Sequence, residues 1–185
     1  MDTQTAMEGT KSPTLVVNLY GGPGTGKSTT AAALFALLKT DGVNAELATE
    51  YAKDIVWEGR DYLLTDQIYI FAKQNRKFAR LFGKVGVIVT DSPLLLCYHY
   101  SQNEHLLALA RQEMAPARHV HAMLTRQKAY NPSGRTQNES QAREVDTGIR
   151  AMLKVLDVPF LEVTADRDAA QILLPIVKAE LAKQA

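Results

Sequence analysis

Eight consecutive residues, Gly21-Gly22-Pro23-Gly24-Thr25-Gly26-Lys27-Ser28, fit the pattern GxxxxGK(S/T). An apolar run of strand length precedes them and a helix-length segment follows, which is the context a phosphate-cradling loop needs. Glycines permit positive φ and remove side chains, so that successive backbone N–H groups can curl around phosphate oxygens. The helix that follows points its positive end at the same place. Lys27 brings a mobile charge to the β- and γ-phosphates, and the Ser28 hydroxyl offers an oxygen to magnesium. The expected ligands are therefore ATP and Mg2+, held by Gly22, Pro23, Gly24, Thr25, Gly26, Lys27, Ser28 and Thr29.

Other residues could complete that chemistry. Asp91 ends the β-branched run Val85–Thr90 and is expected beside the loop as a second magnesium residue; a turn-forming role before Ser92-Pro93 is the plainer alternative. Glu50 follows a short apolar segment, where a carboxylate at the carboxyl end of a parallel strand faces bound ligand and can accept or orient an acceptor's proton. Asp54, four residues on, competes for that role. Arg126 closes another apolar run, and Arg135 lies beyond the turn Tyr130-Asn-Pro-Ser-Gly134. A lid over 126–138 would bring Arg126, Arg135 or Arg143 to a transferring phosphoryl group. Lys73, Arg76, Lys77 and Arg80, with Lys84 beyond, repeat at helical spacing and form one basic face, suited either to solvent or to a polyanionic acceptor. Trp57, Tyr62 and Tyr69 could stack on a base or belong to the core. His99, His105, His119 and His121 show no metal-ligand spacing.

These residues need a frame that holds strand ends together. Strand-length apolar runs alternate with helix-length segments from Thr14 onward, the sign of a parallel α/β sheet. Strands are predicted at Leu15–Tyr20, Ala45–Ala48, Val85–Thr90, His119–Leu124 and Phe160–Val163. Helices are predicted over Lys27–Lys39, with Ala31-Ala-Ala33 as a small face against the sheet, and over Thr65–Leu81, with Ile68, Phe71, Ala72, Phe78 and Ala79 at roughly helical spacing. Further helices are predicted at Leu106–Met114, at Glu139–Leu156 with a capping box from Thr136 to Glu139, and at Asp166–Leu181 with a kink at Pro175. The fold class is α/β: a five-stranded parallel sheet between helical layers, of the P-loop NTPase type.

Composition sets bounds. At 185 residues, 46% hydrophobic and 22% charged, the chain is expected to form one domain over 14–185 behind a flexible tail at 1–13. Twenty-one basic against 20 acidic side chains give no global attraction to nucleic acid, so any such contact must be local. Cys97 is the single cysteine, which excludes an internal disulfide and fits a reducing compartment. No apolar stretch of membrane-spanning length occurs and residues 1–13 lack an apolar signal region, so the cytoplasm is expected.

Gly21 to Thr29, Thr49-Glu-Tyr-Ala-Lys-Asp54, Thr90-Asp-Ser-Pro93 and Tyr130-Asn-Pro-Ser-Gly-Arg135 together resemble small phage P-loop kinases related to the nicotinamide riboside kinase-like AAA family. The likeness runs from about Leu15 to about Val163 and is greatest to 5-hydroxymethyluracil DNA kinases. It implies ATP-dependent transfer of the γ-phosphate to a nucleoside-type primary hydroxyl, with Lys27, Ser28 and Asp91 as phosphate and magnesium residues and Glu50 at the acceptor. The acceptor it implies is 5-hydroxymethyluracil in DNA, a step toward thymidine hypermodification. A free nucleoside or nucleotide is the alternative, and a nucleotide-dependent ATPase switch is a third reading from another class.

Overall fold

The computed structural model describes residues 13–127 and 138–183. The expected tail, Arg135, Thr136 and most of the expected lid lie outside those residues. Five strands, β1 (Leu15–Tyr20), β2 (Ala45–Ala48), β3 (Val87–Thr90), β4 (Arg118–Thr125) and β5 (Leu161–Thr164), form one sheet in the order β2-β3-β1-β4-β5, with every pairing parallel. Parallel neighbours require crossovers. These are supplied by α1 (Lys27–Thr40), α2 (Tyr51–Trp57), a 3-10 turn (Asp61–Thr65), α3 (Gln67–Ala79), α4 (Leu95–Ser101), α5 (Glu104–Met114) and α6 (Glu139–Val155), with α7 (Ala169–Ala182) last.

Alternation along β1 divides the core. Leu15, Val17 and Leu19 face α1 and α7 with Val87, Val89, Ala122 and Leu124, while Val16 and Tyr20 face the other helical layer with Ile88, Met123, Ile149 and Leu153. All six β1 residues are buried, as expected for a central strand covered on both faces. Asn18 is the polar member; its amide donates to the Val16 carbonyl at 3.1 Å and to His119 Nδ1 at 3.2 Å.

The sheet order places each functional strand end. β3 lies directly against β1, so Asp91, one residue past β3, emerges beside the loop that leaves β1 at Gly21. β4 flanks β1 on the other side, which puts Arg126 against the same loop.

Several local expectations change. Of Ala31, Ala32 and Ala33 only Ala31 is buried, since α1 meets the sheet through Ala31, Leu34 and Leu38 at helical spacing. In α3 the buried set is Ile70, Phe71, Gln74 and Phe78, leaving Ile68, Ala72 and Ala79 outside: the apolar stripe sits at 70, 71, 74 and 78, rotated from the expected one. The box that starts α6 is Asn138 with Gln141, each side chain bonded to the other's backbone N–H at 2.9 Å. α2, the 3-10 turn and α4 were not foreseen; each is five to seven residues, too short to show two helical periods.

Candidate active site

The loop 21–28 curls back against the start of α1. Gly26 caps that helix at φ 113°, a left-handed geometry that only glycine adopts without strain, and a Cβ there would also meet Ala165 at 3.2 Å. Thr25 is buried, and its hydroxyl donates to the Gly22 carbonyl at 2.6 Å. Lys27 Nζ donates to that same carbonyl at 3.2 Å, so the ammonium rests inside the curl it is expected to serve. Ser28 and Thr29 are exposed toward a cavity of about 540 Å³.

That cavity joins the phosphate loop to the opposite wall. Pro23, Gly24, Gly26, Lys27, Ser28 and Thr29 line one side. Glu50, Lys53, Val56, Leu64, Thr65, Gln67, Ile70, Leu96, Cys97 and Tyr100 supply the rest, from the β2–α2 junction, the 3-10 turn, α3 and α4. Its lining mixes apolar side chains, Val56, Leu64, Ile70 and Leu96, with polar and charged ones in similar measure. Burial, and secondarily the nearby Glu50 carboxylate, push the Cys97 thiol up to about 12, which makes it a wall rather than a nucleophile.

Glu50 stands at the N-cap of α2 with extended backbone and makes no cap hydrogen bond. Its junction is pinned from α3. Buried Gln74 accepts from the Tyr51 N–H at 3.0 Å and donates to the Thr49 carbonyl at 3.3 Å, and Lys77 Nζ donates to the same carbonyl at 2.8 Å. Asp54, the competing acid, is exposed, lies 3.9 Å from Lys77 and does not line the cavity. Glu50 and Asp54 are therefore separated, and Glu50 is the one brought toward the loop.

Asp91 is 3% exposed, and its Oδ1 is buried with no hydrogen-bond partner among the described residues. A desolvated carboxylate oxygen without a donor is costly unless a cation or water meets it. With the Ser28 hydroxyl it forms an all-oxygen set of the hard type that suits magnesium, which takes one or two protein oxygens and fills its remaining positions with phosphate and water.

The three arginines part company. Arg126 is buried: its guanidinium donates to Asp146 Oδ2 at 3.0 and 3.2 Å, to the Pro23 carbonyl at 2.9 Å and to the Thr25 hydroxyl at 3.1 Å. Arg143 lies on the exposed side of α6, paired with Glu139 at 2.8 Å. Arg135 falls outside the described residues. Of the basic face on α3, Lys77 is tied to Thr49, Lys73 stands over the Tyr69 ring at 5.4 Å, and Arg76 and Arg80 are exposed. Trp57 and Tyr62 are 65% and 73% exposed, and Tyr69 shares a 2.8 Å hydroxyl contact with Tyr51.

Loop, strand-end acid and cavity define a nucleotide-binding site, and comparison with known proteins agrees. A model of the AAA domain matches residues 16–169. The chain belongs to that AAA domain family. Like other P-loop NTPase domains, this AAA domain binds nucleotide, usually with magnesium. A solved structure described as "Crystal structure of APE1195" is similar over 91% of this chain and 96% of its own, at 20% identity and a TM-score of 0.50, a likeness of fold. A search of curated proteins gives no match. Among the described residues, no helix of the AAA domain is long and apolar enough to cross a membrane.

Asp146 and Gln74 escaped the reading of the sequence. Asp146 did leave a signal, since it sits among Ala142, Ile149, Met152 and Leu153 on the buried stripe of α6, where an acid needs a partner. Gln74 lies on the α3 stripe in the same way.

Proposed function

We propose that the chain is an ATP-dependent kinase that transfers the γ-phosphate to a nucleoside-type primary hydroxyl. The observation that carries this reading is a single cavity lined by Lys27 and Ser28 on one side and Glu50 on the other, with Val56, Leu64, Ile70 and Leu96 also in its lining. A switch ATPase needs only water at the γ-phosphate; a walled chamber with a carboxylate opposite the lysine suits an organic acceptor.

In this reading the loop N–H groups and Lys27 hold the phosphates, and Ser28 and Asp91 hold magnesium. The metal, when bound, offsets charge on the β- and γ-phosphate oxygens. Lys27 leaves the Gly22 carbonyl to follow the γ-phosphate, while Val56, Leu64, Ile70 and Leu96 exclude water around a planar group. Glu50 orients the attacking hydroxyl and takes its proton. Arg126, fixed against the loop, adds positive charge near the phosphates, and Arg135 is proposed to act from the lid. The recess lined by Gln127, Asp166, Arg167 and Asp168, the last three directly after Ala165, which a Cβ on Gly26 would meet, is proposed to receive the nucleotide base.

The acceptor that the sequence resemblance favours is 5-hydroxymethyluracil in DNA, with a cytoplasmic site of action. Exposed Arg76 and Arg80, with Lys73, offer a strand the basic face of α3. One observation favours a free nucleoside instead: the segment 51–70, which supplies part of the wall, carries four acids outside the cavity lining, Asp54, Glu58, Asp61 and Asp66, against two bases, Lys53 and Arg60, and gives a polyanion no net attraction around the cavity. Labelled γ-phosphate offered with 5-hydroxymethyluracil DNA, unmodified DNA, free hydroxymethyldeoxyuridine and nicotinamide riboside separates the cases. Label confined to modified DNA supports the DNA kinase, and label on a free nucleoside the small-molecule enzyme. Hydrolysis with every acceptor unlabelled would sink the kinase reading in favour of a switch.

A further inference from the structure

Gly22 occupies a variable position of the loop motif, yet no side chain fits there. A Cβ on Gly22 would lie 2.5 Å from the Ala142 carbonyl oxygen, 2.9 Å from Asp146 Oδ1 and 3.2 Å from Val145 Cβ. Helix α6 is therefore pressed directly onto the crown of the phosphate loop. At that contact the Gly22 N–H donates to Asp146 Oδ1 at 2.5 Å, so this N–H is committed to the helix rather than to a phosphate. Asp146 Oδ2 accepts two hydrogen bonds from Arg126, which also donates to the Pro23 carbonyl and the Thr25 hydroxyl. Asp146 Oδ1 also lies 3.1 Å from the Thr25 hydroxyl, so one carboxylate holds the loop directly at Gly22 and Thr25, and at Pro23 and again at Thr25 through Arg126. The pair is nearly dry, with side chains 14% and 3% exposed, so its hydrogen bonds are little weakened by water.

We propose that Asp146 is a positioning residue for nucleotide binding: it fixes the curvature of residues 22–25 so that the following N–H groups are preset for phosphate. Preset donors bind an anion without the cost of ordering a flexible loop at the moment of binding. Two opposing effects give the proposal a sign. As a bare negative charge near a triphosphate, Asp146 would weaken binding, and its removal would tighten it. As the brace of the loop its removal weakens binding, and by an amount that depends on which of its two links is cut.

The inference rests on the loop's binding nucleotide phosphates and on no particular acceptor. Its test is the dissociation constant for Mg-ATP, measured by direct titration well below the unfolding temperature, with melting temperatures recorded alongside. Asp146→Asn keeps an oxygen for the Gly22 N–H and turns its amide donors on Arg126; Asp146→Ala removes both links. A graded loss is expected, about threefold for D146N and about tenfold for D146A. Equal affinities in wild type and both variants, whatever their melting temperatures, would show a merely structural residue and overturn the proposal. Tighter and equal binding by both would overturn it in favour of simple charge repulsion. Failure of the wild type to bind Mg-ATP would remove the nucleotide reading and this inference with it. The conservative D146N also serves if D146A does not fold.

Discussion

Two loops that leave parallel strands on either side of β3 carry charged groups of this site, and they are held by different means. The phosphate loop after β1 is fixed by a buried ion pair, Arg126–Asp146, together with Thr25. The Glu50 junction after β2 is fixed by one buried amide, Gln74, and by the half-buried Lys77. Removing one member of a buried pair strands a charge, whereas removing a neutral amide leaves two ordinary backbone groups unpaired. The nucleotide side is thus rigid and intolerant. The side proposed for the acceptor, built in part on short helices and an edge strand, is the one on which specificity would change at low cost.

The comparison breaks first at its charged centre. Lys27→Ala is expected to lower turnover by roughly 10²–10³-fold with the fold intact, because among the described residues the Lys27 ammonium bonds to the Gly22 carbonyl of its own loop and ties down no other element. Circular dichroism beside a γ-phosphate assay checks both halves, and a variant that unfolds instead would make Lys27 a structural residue. Asp91→Asn follows at about 10²-fold, with a raised magnesium requirement. Its melting temperature should hold, since Asp91 Oδ1 has no protein partner to lose among the described residues.

Gln74→Leu sharpens the contrast. Leucine fills the same buried position and deletes the bonds to Tyr51 N–H and the Thr49 carbonyl, at a cost of about 1–3 kcal/mol in stability. Turnover of acceptor is expected to fall about tenfold while the dissociation constant for Mg-ATP stays at the wild-type value. A loss of ATP affinity in this variant would mean that the two loops form one mechanical unit after all.

The nucleotide side was largely legible because its chemistry is local: eight adjacent residues carry the loop, an apolar run of strand length precedes it, and an alanine- and leucine-rich segment of helix length follows. Asp91 was legible for the same reason, at the end of a short strand beside that loop. The acceptor side was not, because its wall is gathered from α2, a 3-10 turn, α3 and α4, and residues such as Leu64, Leu96 and Tyr100 meet only in the folded chain. Charged and amide residues on apolar stripes mark the difference. Asp146 and Gln74 each read as an interruption of a buried face, and what they bond to, 124 residues away for Asp146 and Gly22, is set by topology alone.

Beneath the phosphate loop lies a second polar inclusion, smaller in effect. Tyr20, the residue before Gly21, stacks on His121 at 5.7 Å, and its hydroxyl meets His121 Nδ1 at 3.0 Å; His121 stacks in turn on His119 at 5.5 Å. His119 Nε2 faces the Met114 carbonyl at 2.9 Å, which can only accept, so Nε2 carries the proton and Nδ1 accepts from Asn18. The His119 ring is thereby set as neutral. Burial, and then the neighbouring His119, hold His121 down to about 4, against about 6.5 for an unfolded histidine. Between those values the unfolded chain takes up a proton that the folded chain refuses, so stability is full above about pH 6.5 and declines as pH falls toward 4. From pH 7 to pH 5.5 the loss from His121 is about 1 kcal/mol, readable as a lower urea midpoint at unchanged slope. His121→Asn should flatten that dependence; a variant whose midpoint falls as steeply as the wild type's would place the titrating group elsewhere. Because folded His121 stays neutral down to about pH 4, the pH dependence of Mg-ATP affinity between pH 7 and 5.5 is expected to be the same in the wild type and in His121→Asn while their stabilities diverge; an affinity that weakened in the wild type alone would show that the ring titrates in the folded state and that this stack, through Tyr20 and Gly21, supports the nucleotide side.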